Sequence, residues 1–253
     1  MTERGMTDQD DGRPVDAGRR RFLSGAAMST LLLAPGVSLI TFGAGRGDPA
    51  GANPKVRWGL LIETGKCTDS CNACVTACSD YNGWKNLGRP TDPQWIRKVT
   101  LTDPAGGAAR SLPVMCQHCD DAPCVDVCPT GASFKRADGI VLVDRHTCIG
   151  CRYCMLACPY KARSFVHEDV TDQQPWAPRG KGTVEACTLC APRIDAGQKP
   201  ACVEACTRDG QGAMTFGDLN DPDSEIRRKL AAYPAVQLRA DLRLDPGVRY
   251  QGL

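Results

Sequence analysis

Sixteen cysteines in 253 residues fall into four groups of four, with none left over. Two groups end in Cys-Pro: Cys116, Cys119, Cys124, Cys128-Pro129 and Cys148, Cys151, Cys154, Cys158-Pro159. The other two, Cys67, Cys71, Cys74, Cys78 and Cys187, Cys190, Cys202, Cys206, are followed by Ser79 and Thr207. Three thiolates from a tight loop, with a fourth one helical turn onward beside a proline, is the spacing that wraps a cubane iron–sulfur cluster. In that arrangement the fourth cysteine ligates a neighbouring cluster. Four complete quartets therefore predict four [4Fe–4S] clusters strung into an electron wire.

Disulfides and structural zinc are the competing uses of so much cysteine. At 16 of 253 residues cysteine is about 6% of the chain, below the roughly 8–10% typical of disulfide scaffolds. A chain of this length also buries enough surface to hold a core without staples. Zinc knuckles pair two C-x₂-C units across a long spacer. Cys148-x₂-Cys151-x₂-Cys154-x₃-Cys158-Pro159 instead packs four thiolates together with no separate second pair.

The formal charge of +2 and mean hydropathy of −0.30 describe a chain without the basic stripe that nucleic acid requires. Each oxidised cluster with its thiolates carries about −2, so four would take the loaded protein to roughly −6. Lys135, Arg136, Arg145, Arg152, Lys161 and Arg163, beside the cysteine loops, are placed to offset that charge locally. Each would serve equally as part of a solvated face.

The N-terminus reads Gly18-Arg19-Arg20-Arg21-Phe22-Leu23-Ser24, followed by a moderately apolar stretch from Gly25 to Ala44. This resembles a twin-arginine export signal with Arg19 and Arg20 as the pair. Iron–sulfur centres are assembled in the cytoplasm, so an export route that accepts folded proteins suits such a chain. The alternative is a membrane-anchoring helix, but the stretch is poor in strongly apolar residues. After it no segment approaches eighteen apolar residues. The expected location is periplasmic.

Trp58-Gly59-Leu60-Leu61-Ile62 predicts a strand feeding the first cysteine loop, and the segment from Ser79 to about Pro113 reads as surface loop. Ala132-Ser133-Phe134-Lys135-Arg136, an Asp138-Gly139 turn and Ile140-Val141-Leu142-Val143-Asp144 predict a β-hairpin. Met214 to Asp218 reads as a strand. The helix-like run from Ser224 to Ala232 and the tail to Leu253 read as peripheral.

Because the fourth cysteine of a group points at a neighbouring cluster, the groups must pair. The Cys-Pro groups pair as Cys116, Cys119, Cys124 with Cys158, and Cys148, Cys151, Cys154 with Cys128. The remaining groups then pair as Cys67, Cys71, Cys74 with Cys206, and Cys187, Cys190, Cys202 with Cys78. The expected fold is α+β: two nested ferredoxin-like two-cluster units with short strands, short helices and long loops. The parts are a signal segment over 1–45, an outer unit over 57–113 plus 183–220, a central unit over 114–168, and a peripheral tail over 221–253.

At this point the chain resembles the four-cluster electron-transfer subunits associated with molybdopterin oxidoreductases and with membrane quinone-interacting subunits. The long gap in Cys187-x₂-Cys190-x₁₁-Cys202-x₃-Cys206 carries that resemblance. Cys67-x₃-Cys71, in place of C-x₂-C, makes it most similar to the DsrO-type periplasmic subunit of the sulfite-reduction-associated transmembrane complex. The resemblance implies partners: a multi-pass quinone-interacting membrane subunit, a periplasmic multihaem cytochrome c, and cytoplasmic partners on the far side. It also implies attachment at the inner membrane through those partners. The alternative is an electron-transfer subunit of a molybdopterin oxidoreductase of the polysulfide, nitrite or hydrogenase-linked type.

No sequence feature suggests a substrate pocket, so the chain is expected to be a non-enzymatic subunit. His118, His146 and His167 lie in or near cysteine loops, where hydrogen bonding is their expected use. No C-x-x-C-H occurs, so covalent haem is not expected. Gly43-Ala44-Gly45-Arg46-Gly47 imitates a dinucleotide loop but follows no strand.

Overall fold

The structure, a computed structural model, describes residues 52–102, 104, 106–107 and 109–253. The export-signal segment, the apolar stretch after it and the glycine-rich imitation loop lie outside the described residues. Among the described residues no helix is long and apolar enough to cross a membrane.

The core is organised by β1, Trp58–Glu63, whose Leu60, Leu61 and Ile62 are almost fully buried. A run of apolar residues without polar alternation suits a strand covered on both faces. β1 is the centre of a three-stranded sheet. It pairs antiparallel with β8, Met214–Asp218, and parallel with β9, Val248–Gln251. The remaining strands form three antiparallel hairpins. These are β2, Ile96–Leu101, with β3, Arg110–Met115; β4, Ser133–Lys135, with β5, Val141–Val143; and β6, Arg163–Phe165, with β7, Val184–Ala186.

The helices are short. α1, Ala73–Asn82, packs against α5, Ala201–Arg208, while α2, Pro123–Asp126, packs against α3, Tyr153–Ala157. α4, Ala191–Asp195, follows the last cysteine loop. α6, Glu225–Ala232, is capped by Ser224, whose hydroxyl accepts from the Arg227 amide. Helices this short are marginal alone, so packing around the cysteines must hold them.

The strand at Trp58, the hairpin around Asp138-Gly139 and the strand at Met214 form as expected. Gly139 supplies the left-handed φ of 86° that the hairpin turn needs.

Two expectations are corrected. The segment from Ser79 to Pro113 is not surface loop: it completes α1, forms the β2–β3 hairpin and buries Trp84 and Trp95 to 1% and 0% exposure. Two tryptophans of that size bury too much apolar surface to remain outside. Nor are the residues after 220 peripheral. Ile226 of α6 is fully buried, and Val248 and Tyr250 of β9 close the edge of the central sheet. The Tyr250 hydroxyl donates to the Pro113 carbonyl and accepts from Gln117 Nε2, each at 3.2 Å. Burying Val248 contributes roughly 1.5–3 kcal/mol.

Candidate metal centres

Cys74 and Cys78 stand one turn apart on α1, and Cys202 and Cys206 one turn apart on α5. Packing α1 on α5 mixes the cysteines of the first and last groups. One cavity, site I, is lined by Cys67, Cys71, Cys74 and Cys206, and a second, site II, by Cys78, Cys187, Cys190 and Cys202. The packing of α2 on α3 mixes the two middle groups. Cys116, Cys119, Cys124 and Cys158, taken as site III, lie in one buried cluster that also holds Cys154, and Cys128, Cys148, Cys151 and Cys154 line a cavity, site IV. All sixteen cysteines are free.

Left-handed backbone curls three of these loops inward. His118 lies between Cys116 and Cys119, Gly150 and Arg152 interrupt the third group, and Leu189 and Cys190 turn the fourth, all with φ between 46° and 71°. Gly150 has a second reason to be glycine: a Cβ there would sit 2.2 Å from the Gly182 carbonyl oxygen.

Burial disfavours the thiolate in this interior. It pushes Cys74 up to about 12, helped by Cys206, Cys67 and Cys71. It does the same to Cys119, with Cys124 and Cys158 beside it. Cys116 is raised by burial first and then by Cys124, with Cys158 adding to the rise. Such thiols stay protonated unless cationic metal takes the proton's place, which is the behaviour of a ligand set that binds only with proton release. Cys128 is the contrast: hydrogen bonds, led by the Ser133 amide, outweigh its burial and lower its pKa.

The same interactions reach from site to site. Burial raises Cys202 of site II, followed by Cys190, Cys78 and then Cys74 of site I. Burial raises Cys187 of site II, with Cys78, Cys202 and then Cys116 of site III contributing. Cys124 of site III is raised chiefly by burial, with Cys158 and Cys154 of site IV adding to it. Cys74 of site I therefore lies near Cys202 of site II, Cys187 of site II near Cys116 of site III, and Cys124 of site III near Cys154 of site IV.

Whether these pockets suit a sulfur-rich inorganic group can be judged from their donors. Amides of Ser133, Leu189 and Ala213 donate to the Sγ atoms of Cys128, Cys187 and Cys206 at 3.2–3.4 Å. Asn82 Nδ2 and Trp84 Nε1 donate to Cys78 Sγ at 3.5 and 3.4 Å. Several further N–H groups are buried without a protein acceptor: Trp95 Nε1 at site II, Arg163 Nε and Nη1 at site IV, and His118 Nε2 in the site III loop. Buried donors are rarely left unpaired, and sulfide-bearing clusters would give these donors acceptors. The residues fit [4Fe–4S] clusters.

His118 is a core histidine. Its Nδ1 accepts from the Val141 amide at 3.0 Å, and burial, with Arg57 and Arg163 nearby, lowers its pKa to about 3. His146 is exposed, and His167 lies edge-on to Phe165. Of the six cations set beside the loops, most have other attachments. Arg136 is held by Asp138 and Asp195, Lys135 by Asp120, Arg152 lies over the Phe165 ring and Arg145 over Trp95. Arg163 donates to a cysteine sulfur. Sequence reasoning passed over Asn82 and Trp84 as donors. Their spacing of four and six residues from Cys78, at the end of its helix, was the available signal.

A family profile described as a 4Fe-4S dicluster domain matches residues 108–219. The chain is 41% identical to the Hdr-like menaquinol oxidoreductase iron-sulfur subunit 1 of Archaeoglobus fulgidus, over 93% of this chain and 98% of that one. It is 37% identical to protein NrfC of Escherichia coli, over 90% and 92%. It is 33% identical to a tetrathionate reductase subunit of Salmonella typhimurium, over 96% and 91%.

The chain belongs to the ferredoxin-type iron–sulfur electron-transfer subunits. Its cofactors are [4Fe–4S] clusters, and its sixteen cysteines provide for four. The dicluster match covers the second, third and fourth cysteine groups, and the full-length relatives extend the likeness across the first.

Proposed function

We propose that this chain is a periplasmic electron-transfer subunit that holds four [4Fe–4S] clusters in two nested ferredoxin-like units. It relays electrons between a multi-pass quinone-interacting membrane subunit and a multihaem cytochrome c in a sulfur-metabolism complex of the Dsr type. It reaches the periplasm folded, by the twin-arginine route, and is held at the inner membrane by its partners. The sixteen cysteines are its ligands in the crossed sets of sites I to IV. The observation that carries this reading is the gathering of cysteines from different groups around four neighbouring sites.

When bound, a [4Fe–4S] cluster supplies one-electron redox chemistry. The chain's own residues do the rest. Trp84, Trp95, Met115 and Leu60 exclude water from the inner sites, while the amide, Asn82 and Trp84 donors fix the sulfurs and favour added negative charge. The last site is open: Cys151 is exposed, and Ile149, Tyr153 and Leu156 stand exposed around it. A wire with buried inner sites and an exposed end suits exchange with another protein.

The quinone link is supported by the relative named as a menaquinol oxidoreductase subunit. A second reading, the iron–sulfur subunit of a molybdopterin oxidoreductase, is favoured by likeness to relatives named for tetrathionate and dimethyl sulfoxide reductases. Washed membranes of the source organism test the first. Menaquinol should bleach the visible absorbance of the added protein only when membranes are present, and bleaching without them contradicts the reading. A chain carrying Arg19→Lys and Arg20→Lys should remain in the cytoplasm with its iron.

A further inference from the structure

β6 carries Arg163 into the interior, where it is 6% exposed. Its polar partners are a cysteine sulfur and a hydroxyl rather than a carboxylate. Nη2 donates to Cys124 Sγ at 3.1 Å and to Ser133 Oγ at 2.7 Å. Nε and Nη1 have no protein acceptor. The same side chain lines site IV beside Cys128, Cys148 and Cys154. One guanidinium therefore touches a sulfur of site III and forms part of the wall of site IV.

We propose that Arg163 is a shared potential-setting residue for sites III and IV, its fixed charge and spare N–H groups favouring the reduced state at both. The physics is direct. Arginine stays protonated at every accessible pH and presents five donors in a fixed fork. Two donors reach the sulfur and hydroxyl already named, and the unpaired ones are free for the second quartet. One-electron reduction takes a cluster with its four thiolates from about −2 to about −3, with no bond made or broken. No proton needs to move, because the guanidinium is already charged. A buried cation favours the more negative state, and it does so strongly because the surroundings screen little. Lysine would not substitute fully, since a point ammonium cannot serve two sulfur sites at once. Arg136 and Lys135 do not share the role, being committed to Asp138, Asp195 and Asp120.

This inference rests on the ligand sets proposed above, and its test separates the two. Holoprotein is titrated with dithionite and followed by paramagnetic resonance, with iron measured on the same samples. Signals of sites III and IV are identified by their loss in Cys116→Ala and Cys148→Ala. In Arg163→Gln, those two signals should fall in midpoint by a tenfold change in the reduction equilibrium or more, 59 mV for a one-electron couple. The signals of sites I and II should stay in place. Arg163→Lys should move the same two signals by less, and it carries the test if the glutamine protein loses iron. Full iron with all four midpoints unmoved in both variants overturns the role of Arg163 alone. Movement of sites I and II by as much as III and IV overturns it too. A wild-type protein with iron for two clusters instead overturns the ligand sets.

Discussion

Single residues decide whether the cysteine loops can close. Gly150 has φ +71°, and its missing Cβ leaves room for the Gly182 carbonyl. Gly150→Ala adds a left-handed penalty of roughly 1 kcal/mol and a clash with backbone that no side-chain rotation relieves. The loop that carries Cys148 and Cys151 must then shift. Iron should fall by about a quarter, as site IV fails, and metal analysis with quantitative resonance checks it. Full iron at Gly150→Ala would show that the loop tolerates the displacement. At this scale the cysteines were legible because ligand chemistry fixes both residue type and spacing. Arg163 was not separable from the five other cations near the loops. Which cation reaches a sulfur depends on how the β6–β7 hairpin turns its side chains, and that is set by distant packing.

Short elements hold the loops in place, and a buried ion pair ties two of them together. Arg136 follows β4 and is 2% exposed; its Nη2 donates to Asp138 at 2.8 Å and to Asp195, at the end of α4, at 2.6 Å. Arg136→Ala leaves Asp138 buried without its cation, although the Ile140 amide still donates to it, and loss of one partner of a buried ion pair costs about 3–5 kcal/mol. The melting temperature should drop on the order of 10 °C, read by calorimetry of the holoprotein. A drop of a degree or less would mean that Asp138 finds other partners. The β4–β5 hairpin was readable because its turn chemistry and apolar runs are local. β9 was not. It has four residues, and its parallel partner β1 lies almost the whole described chain away, so no local pattern marks it. The Ser79–Pro113 segment hid its hairpin for a related reason: Gly, Pro and polar residues around Trp84 and Trp95 imitate a loop until the tryptophans find the core.

Across the whole molecule, the first and last cysteine groups meet through α1 and α5, and the middle groups through α2 and α3. The pairing of groups could be argued in advance from the rule that the fourth cysteine of a group serves a neighbouring cluster. Which segments meet could not, because it follows from distant packing, α1 on α5 and α2 on α3. Everything proposed about the wire depends on crossed ligation, with Cys158 serving Cys116, Cys119 and Cys124 while Cys128 serves Cys148, Cys151 and Cys154. Paramagnetic resonance of four alanine variants in reduced holoprotein tests this most directly. The account predicts that Cys158→Ala and Cys116→Ala perturb one common signal, and that Cys128→Ala and Cys148→Ala perturb a different common one. If Cys158→Ala instead shared its signal with Cys148→Ala and left that of Cys116→Ala untouched, each group would own its cluster and the crossed arrangement would be wrong.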